Sequence, residues 1–589
     1  MKPAILTFAA SSAATAERIA GLTGGEVYAC GPGRAEAKPL LARLFRENTP
    51  IIGVCAAGIL IRLLAPLLGD KHAEPAVLAV SQDGAHIVPL LGGHHGANRL
   101  AREIAAGLGG VAALTTASDS QFARGLDEPP TGWVLEDPDS ARPAMAAVLA
   151  GASIALEGHA PWLAEAGYPM ASDGTLRVAA GARTDASADL IYRPRTLIAG
   201  MGCERGTAAE EVTALLSSTL AEASLSPLSL AAIASVDLKA DEVALHAVAA
   251  HFGVPLRLLS VGELNLERDR VATPSAVVEA EIGTPSVAEA AALKAGALLV
   301  SKRKSARATC AIGRAAAPID PATIGRAPGM LHLVGIGPGD KLSRTASSVA
   351  ALDASTDWVG YGLYLDLIAD IRLEQAEHRF GLGDEEARVR HALELAATGR
   401  TVALVCSGDA QIYAMAALAY ELLQAAGSRA LSDAARRVAV ESHPGISAFQ
   451  AASAAAGALI GHDFCCISLS DLLTPREDII RRLDAAARGD FVTALYNPRS
   501  GRRTELLEEA VRIFGANRPA TTPVIVARDL GRPGETVRVM PLSAFDPEAV
   551  DMLTIVLIGS STSQAFTRGD GRTVAYTPRG YARKAEAAE

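Results

Sequence analysis

A chain of 589 residues is longer than one hydrophobic core sustains, so several domains of roughly 150 residues each are expected. Apolar residues make up 49% of it, which excludes a mainly disordered chain. The net charge is −10 with Lys and Arg scattered, which excludes a general nucleic-acid binder, because phosphates call for a concentrated basic field.

The opening MKPAILTFAASS lacks the cationic start and long apolar stretch of a signal peptide. From Ala4 to Asp119, strand-like runs (AILTF, PIIGVC, AVLAV, AHIVPLL, VAALTTA) alternate with helical patterns such as ANRLAREIAAGLG, which predicts an α/β domain over 1–120. The most apolar stretch, Ile51 to Leu68, is interrupted by Arg62 and Pro66, so it reads as a buried strand, turn and helix and not as a membrane span. A Pro/Gly/Asp-rich stretch (DEPPTGW, EDPDSARP) reads as a loop before a short helical and strand-like part, the two making a middle section over 121–194. A second α/β domain is expected over 195–316. The segment after it, 317–329, is rich in Pro, Gly and Ala without apolar period and reads as a linker. Beyond it MLHLVGIGPGD begins afresh, like the start of another protein, which points to a gene fusion. The seven cysteines (Cys30, Cys55, Cys203, Cys310, Cys406, Cys465, Cys466) show no CxxC spacing, which fits a reducing cytoplasm and predicts no zinc or other metal.

In the C-terminal part, four strand-like runs end in turns suited to ligand binding. Leu331 to Ile336 runs into Gly337-Pro338-Gly339-Asp340, and TVALV into Cys406-Ser407-Gly408-Asp409. VAVES runs into His443-Pro444-Gly445-Ile446-Ser447, and FVTAL into Tyr496-Asn497-Pro498. Glycine turns let a ligand approach the backbone, and in parallel α/β sheets the carboxyl ends of the strands share one edge, so these turns can converge on one crevice. The first is not a Walker loop, since no Gly-Lys-Ser/Thr closes it.

The ordered set GIGPGD, VCSGDAQIYAMA, HPGISAFQAASA, GHDFCCISLSDLLTPRE, ALYNPRSGRR and VARDLGRPGE resembles the tetrapyrrole methylase family, and within it the precorrin-3B carbon-17 methyltransferases. The resemblance implies two α/β lobes, 330–440 and 441–575, with S-adenosylmethionine between them, a tetrapyrrole substrate, and a homodimer in the cytoplasm. By position, Gly337, Pro338, Gly339, Ser407, Gly408, Asp409, Tyr413, Ser447, Ala448, Tyr496 and Asn497 would bind the cofactor. Asp409 is also a catalytic candidate, set against a purely stabilising role at a helix N-terminus. His443 departs from the family's usual apolar residue at that place. It is read either as a general base or as a hydrogen-bonded wall residue.

Substrate carboxylates call for cations, and Arg499, Arg502 and Arg503, then Lys341 and Arg344, are the candidates, with solvated helix starts as the alternative. The reaction implied is methylation at ring carbon 17, with ring contraction as carbon 20 leaves within an acetyl group. Its substrate is either metal-free or already carries cobalt.

The first half shows GVCAAGI at 53–59, then Arg62, Lys71, VPLLGGHHGAN at 88–98 and TTASD at 115–119. The next domain shows GMGCERG at 200–206, Ser235 to Lys239 and VAEA at 287–290. These resemble the cobalt-precorrin-5A hydrolase family, which opens a lactone and releases acetaldehyde. The Gly-Gly-His-His-Gly segment is one residue shorter than the commoner form. His94 or His95 would activate water there, with Lys71 or Arg62 holding a carboxylate; the alternative is a module that binds a pathway intermediate or assembles enzymes without hydrolysing.

Overall fold

The computed structural model describes residues 2–31, 37–69, 74–93, 96–114, 121–499 and 504–581. The chain divides into two compact units, one made of residues 1–235 and 243–324, the other of 236–242 and 325–589. Among the described residues, no helix is long and apolar enough to cross a membrane.

Among the described residues, the first unit holds three sheets. The strands expected near its start form a six-stranded sheet, parallel except where His86–Leu91 runs against Val77–Val80. Its central strands Ile51–Val54 and Val77–Val80 are buried at every position, as continuous apolar runs between helices should be. Within 121–194, the stretch 127–143 carries more order than its composition suggested. Strand Trp133–Leu135 and helix Ala141–Leu149 rise from the stretch expected to be loop, with Asp137 capping the turn between them. Together with Ile154–Gly158, Leu176–Ala180 and Leu190–Pro194 they build a four-stranded sheet over a core that includes Trp162, Tyr168 and Tyr192. A third, five-stranded sheet centres on Leu197–Cys203 and Leu230–Val236.

The second unit contains two five-stranded sheets. The first is all parallel, with Met330–Gly335 between Thr401–Cys406 and the edge strand Ala439–His443, and with Asp357–Tyr361 and Ala376–Phe380 on the other side. Ala439–His443 straddles the lobe boundary expected at 440. It pairs with residues 330–334, so it belongs to the first sheet. The second sheet is mixed: Phe464–Ser468 and Val492–Tyr496 are parallel, while Thr554–Ile558, Pro523–Arg528 and Thr536–Pro541 continue it antiparallel. Each has its own core, around Leu333, Leu393 and Leu404 in the first and around Leu483, Leu507 and Phe514 in the second.

Candidate functional site

The carboxyl ends of the first sheet's strands open into a cleft of about 340 Å³. Three backbone turns meet at its floor. Gly337 and Gly408 exchange backbone hydrogen bonds, at 2.8 Å from the Gly408 N–H and 3.1 Å from the Gly337 N–H. A side chain at Gly445 would lie 2.1 Å from the Gly408 carbonyl oxygen and 2.6 Å from that of Gly335, so the turns approach this closely only because these positions are glycine. Asp409, 8% exposed, secures the arrangement. One carboxylate oxygen accepts from the Gln411 N–H at 2.8 Å, and the other accepts from the Gly445 N–H at 3.1 Å.

The opposite wall comes from the second sheet. Tyr413 donates its hydroxyl to the Cys466 carbonyl at 2.8 Å, and its ring lies 5.1 Å from that of Tyr496, whose hydroxyl accepts from the Phe449 N–H. Burial pushes both phenols up, so they stay protonated at neutral pH. Asn497 donates to the Ser468 hydroxyl at 3.1 Å. Tyr413, Asn497 and the nearby Asp529 all have φ near +50°, a region costly for residues with a Cβ, and all three line the cleft. Strain gathered in one cavity marks a place where function sets the backbone.

Of the residues expected to hold a cofactor, Pro338, Ser407, Gly408, Asp409, Tyr413, Ser447, Ala448, Tyr496 and Asn497 line this cleft, and Gly337 and Gly339 shape the turn beside it. The cations are arranged differently from expectation. Lys341 and Arg344 both pair with Asp370, at 3.2 and 2.8 Å, and Arg499 donates to the Pro547 carbonyl; none of the three lines the cleft. Burial favours the neutral form of Asp370, but these two cations outweigh it and hold the carboxyl below its usual range. Arg502, Arg503 and His94 lie outside the described residues. His443 turns away from the cleft, one ring nitrogen on Ser347 and the other on His332.

Arg388 and Arg532 supply the positive charge in the cleft instead. Arg532 donates to the Pro338 carbonyl and to the Ser407 hydroxyl, each at 3.0 Å, and so ties the two turns together from the second sheet. Arg388 is only 3% exposed. It donates to the Gly381 carbonyl at 2.9 Å, while its Nε finds no acceptor among the described residues. Cys406 also borders the cleft, with its thiol pushed up to about 11 by burial, which removes it as a nucleophile.

Residues 330–546 match the family of tetrapyrrole (corrin/porphyrin) methylases. Over 254 residues the chain is 40% identical to a precorrin-3B C(17)-methyltransferase from a Sinorhizobium species, covering 43% of this chain and 98% of that protein. The chain belongs to the tetrapyrrole methylases. It is also 40% identical to a cobalt-factor III methyltransferase of Priestia megaterium, over 44% of this chain and 46% of that longer protein. Among solved structures, the methyltransferase CobJ is 38% identical over 42% of this chain and 100% of its own, with a TM-score of 0.39. The first unit matches the cobalamin synthesis G N-terminal family at residues 39–119 and the cobalamin synthesis G C-terminus family at 197–313. The methylase and these two domains therefore stand in one chain, as the internal restart at Met330 suggested.

Proposed function

We propose that the methylase unit transfers a methyl group from S-adenosylmethionine to carbon 17 of precorrin-3B. The observation that carries this reading is the 40% identity across nearly the whole of a precorrin-3B C(17)-methyltransferase. The cleft fits the methyl donor on its own terms. It has the size of a small-molecule site, and Arg388 and Arg532 in its wall bring positive charge suited to a carboxylate. Glycine turns on the floor leave room for a ligand against the backbone.

When bound, S-adenosylmethionine supplies an activated methyl. The chain then has to hold the acceptor carbon in line with it and keep water out. Asp409 keeps the Gly445 turn in place, Arg532 clamps Pro338 to Ser407, and the Tyr413–Tyr496 pair forms an apolar wall. Arg388 and Arg532 give the carboxylates of either ligand a positive field. As in the resemblance from which this reading began, the working form is a homodimer in the cytoplasm, which light scattering on the purified chain and cell fractionation test.

Relatives named for metal-free and for cobalt substrates are equally identical to this chain. The test therefore has two arms: precorrin-3B and cobalt-factor III, each incubated with the full chain and S-adenosylmethionine, with products read by mass spectrometry. A gain of one methyl group with precorrin-3B supports the proposal; a gain only with cobalt-factor III transfers it to the metallated substrate.

The first unit acts in the same pathway on this reading, as a hydrolase-like partner of the methylase, supported by its two family matches. Its first sheet carries a separate cleft of about 380 Å³ bordered by Ser12, Cys55 and Val88. Release of acetaldehyde from cobalt-precorrin-5A by the full chain tests this role, and its absence favours the binding-module alternative.

A further inference from the structure

The parallel register of the first methylase sheet assembles a group of side chains that the methyl-transfer cleft does not use. His332, in the strand Met330–Gly335, sits beside Glu441 of the edge strand, and Val334 sits beside His443. Glu441 and His443 are two residues apart and so project from the same face, which His332 shares. His332 Nδ1 is 2.9 Å from His443 Nε2, and Glu441 Oε2 is 3.8 Å from the first nitrogen and 4.0 Å from the second.

We propose that His332, Glu441 and His443 bind a divalent transition-metal ion. A triangle with sides of 2.9, 3.8 and 4.0 Å has a circumscribed radius of about 2.1 Å, so one point lies at metal–ligand bonding distance from all three atoms at once. Two imidazoles and one carboxylate suit zinc, cobalt(II) or nickel(II) and disfavour magnesium or calcium, which prefer all-oxygen shells.

The surroundings are those of a metal site. Ser347, on the helix Ala346–Ala354, lies with its hydroxyl 2.8 Å from His443 Nδ1. A hydroxyl at this place can accept from Nδ1–H, which is the tautomer in which Nε2 presents its lone pair to an ion. His332 is 8% exposed and the His443 side chain 16%, whereas the Glu441 side chain is 58% exposed, so an ion can enter from solvent on the carboxylate side. Cysteine spacing, which argued against a metal, could not reveal this group, because His332 lies 109 and 111 residues before the other two and meets them through strand pairing. An ion here fixes the end of the edge strand immediately before Pro444-Gly445, the turn that Asp409 holds against the cleft.

The test uses the full chain, freed of metal by chelator and desalted. Titration with cobalt(II) alone should produce visible ligand-field absorption that saturates at one equivalent, and zinc should displace it. His332→Ala and His443→Ala should abolish the absorption. Ser347→Ala should retain it with affinity weakened by about 10- to 100-fold, the usual effect of losing an outer partner. Glu441→Gln, a change at an exposed position that leaves the core untouched, should weaken binding with an unchanged circular dichroism spectrum. If the wild-type chain shows no saturable absorption, or if Glu441→Gln and Ser347→Ala bind cobalt as tightly as it does, the two histidines share only a hydrogen bond and the proposal is overturned.

Discussion

Arg532 joins two turns from different strands by hydrogen bonds to Pro338 and Ser407, and its removal frees both. Charge-assisted hydrogen bonds of this kind contribute about 1.5–3 kcal/mol. Arg532→Ala should therefore weaken S-adenosylmethionine binding by roughly 10- to 100-fold by calorimetry, in a protein that still folds. Asp409→Asn is the complementary case. The amide can accept at only one of the two oxygens that now bind Gln411 and Gly445, so the Gly445 turn loosens, and cofactor affinity should fall while the far-ultraviolet circular dichroism stays unchanged. An unaltered dissociation constant in either variant removes that residue from the site. The sequence marked Asp409 because it closes a strand-end turn. Arg532 lies in the RDLGRPGE segment, 125 residues beyond Ser407, where only the folded chain shows its reach. The left-handed backbone of Tyr413 was equally invisible, since nothing in a tyrosine asks for positive φ, whereas Asn497 and Asp529 are of the types that adopt it most readily after glycine.

At the scale of elements, strand ends were legible because a parallel sheet buries unbroken apolar runs and stops at glycine turns. The stretch read as a loop at the start of the section 121–194 was not, because its strand Trp133–Leu135 is short and its Asp-Pro-Asp-Ser run caps a helix instead of forming a loop. The pairing of the cations was hidden for a similar reason: charge clusters in sequence do not reveal that Asp370 engages Lys341 and Arg344.

One element carries an acid-sensitive anchor. Asp357 begins a central strand and is fully buried, which by itself raises its pKa; hydrogen bonds from Thr356, His378 and Arg400 overcome that and leave it lowered. A carboxyl lowered by folding adds stability that is present above the unfolded range near about 4 and is lost as pH falls through the folded value. Denaturant titrations should show this component disappearing below about pH 4. In Asp357→Asn the neutral-pH stability should be lower by about 1–3 kcal/mol and the acid dependence shallower. Parallel pH profiles for the two proteins would contradict the assignment.

Over the whole molecule, the restart at Met330 and the six ordered motifs made the methylase legible, since a family's site residues sit at strand ends in fixed order. The hydrolase-like half was readable as a resemblance, but the chemistry expected of it rests on His94 or His95 with Lys71 or Arg62, and of these only Arg62 lies within the described residues. Because the second unit has its own cores, a fragment starting at Gly325 should fold and bind S-adenosylmethionine with the affinity of the full chain. A fragment that aggregates or fails to bind would show that the methylase depends on the first half.

The position of the transferred methyl tests the central claim most directly. Precorrin-3B incubated with the full chain and S-adenosylmethionine carrying a carbon-13 methyl should give a product whose label, by nuclear magnetic resonance, is attached to ring carbon 17, with carbon 20 displaced into an acetyl group. Label at any other ring carbon, or none in the tetrapyrrole with either the metal-free or the cobalt substrate, would contradict the account.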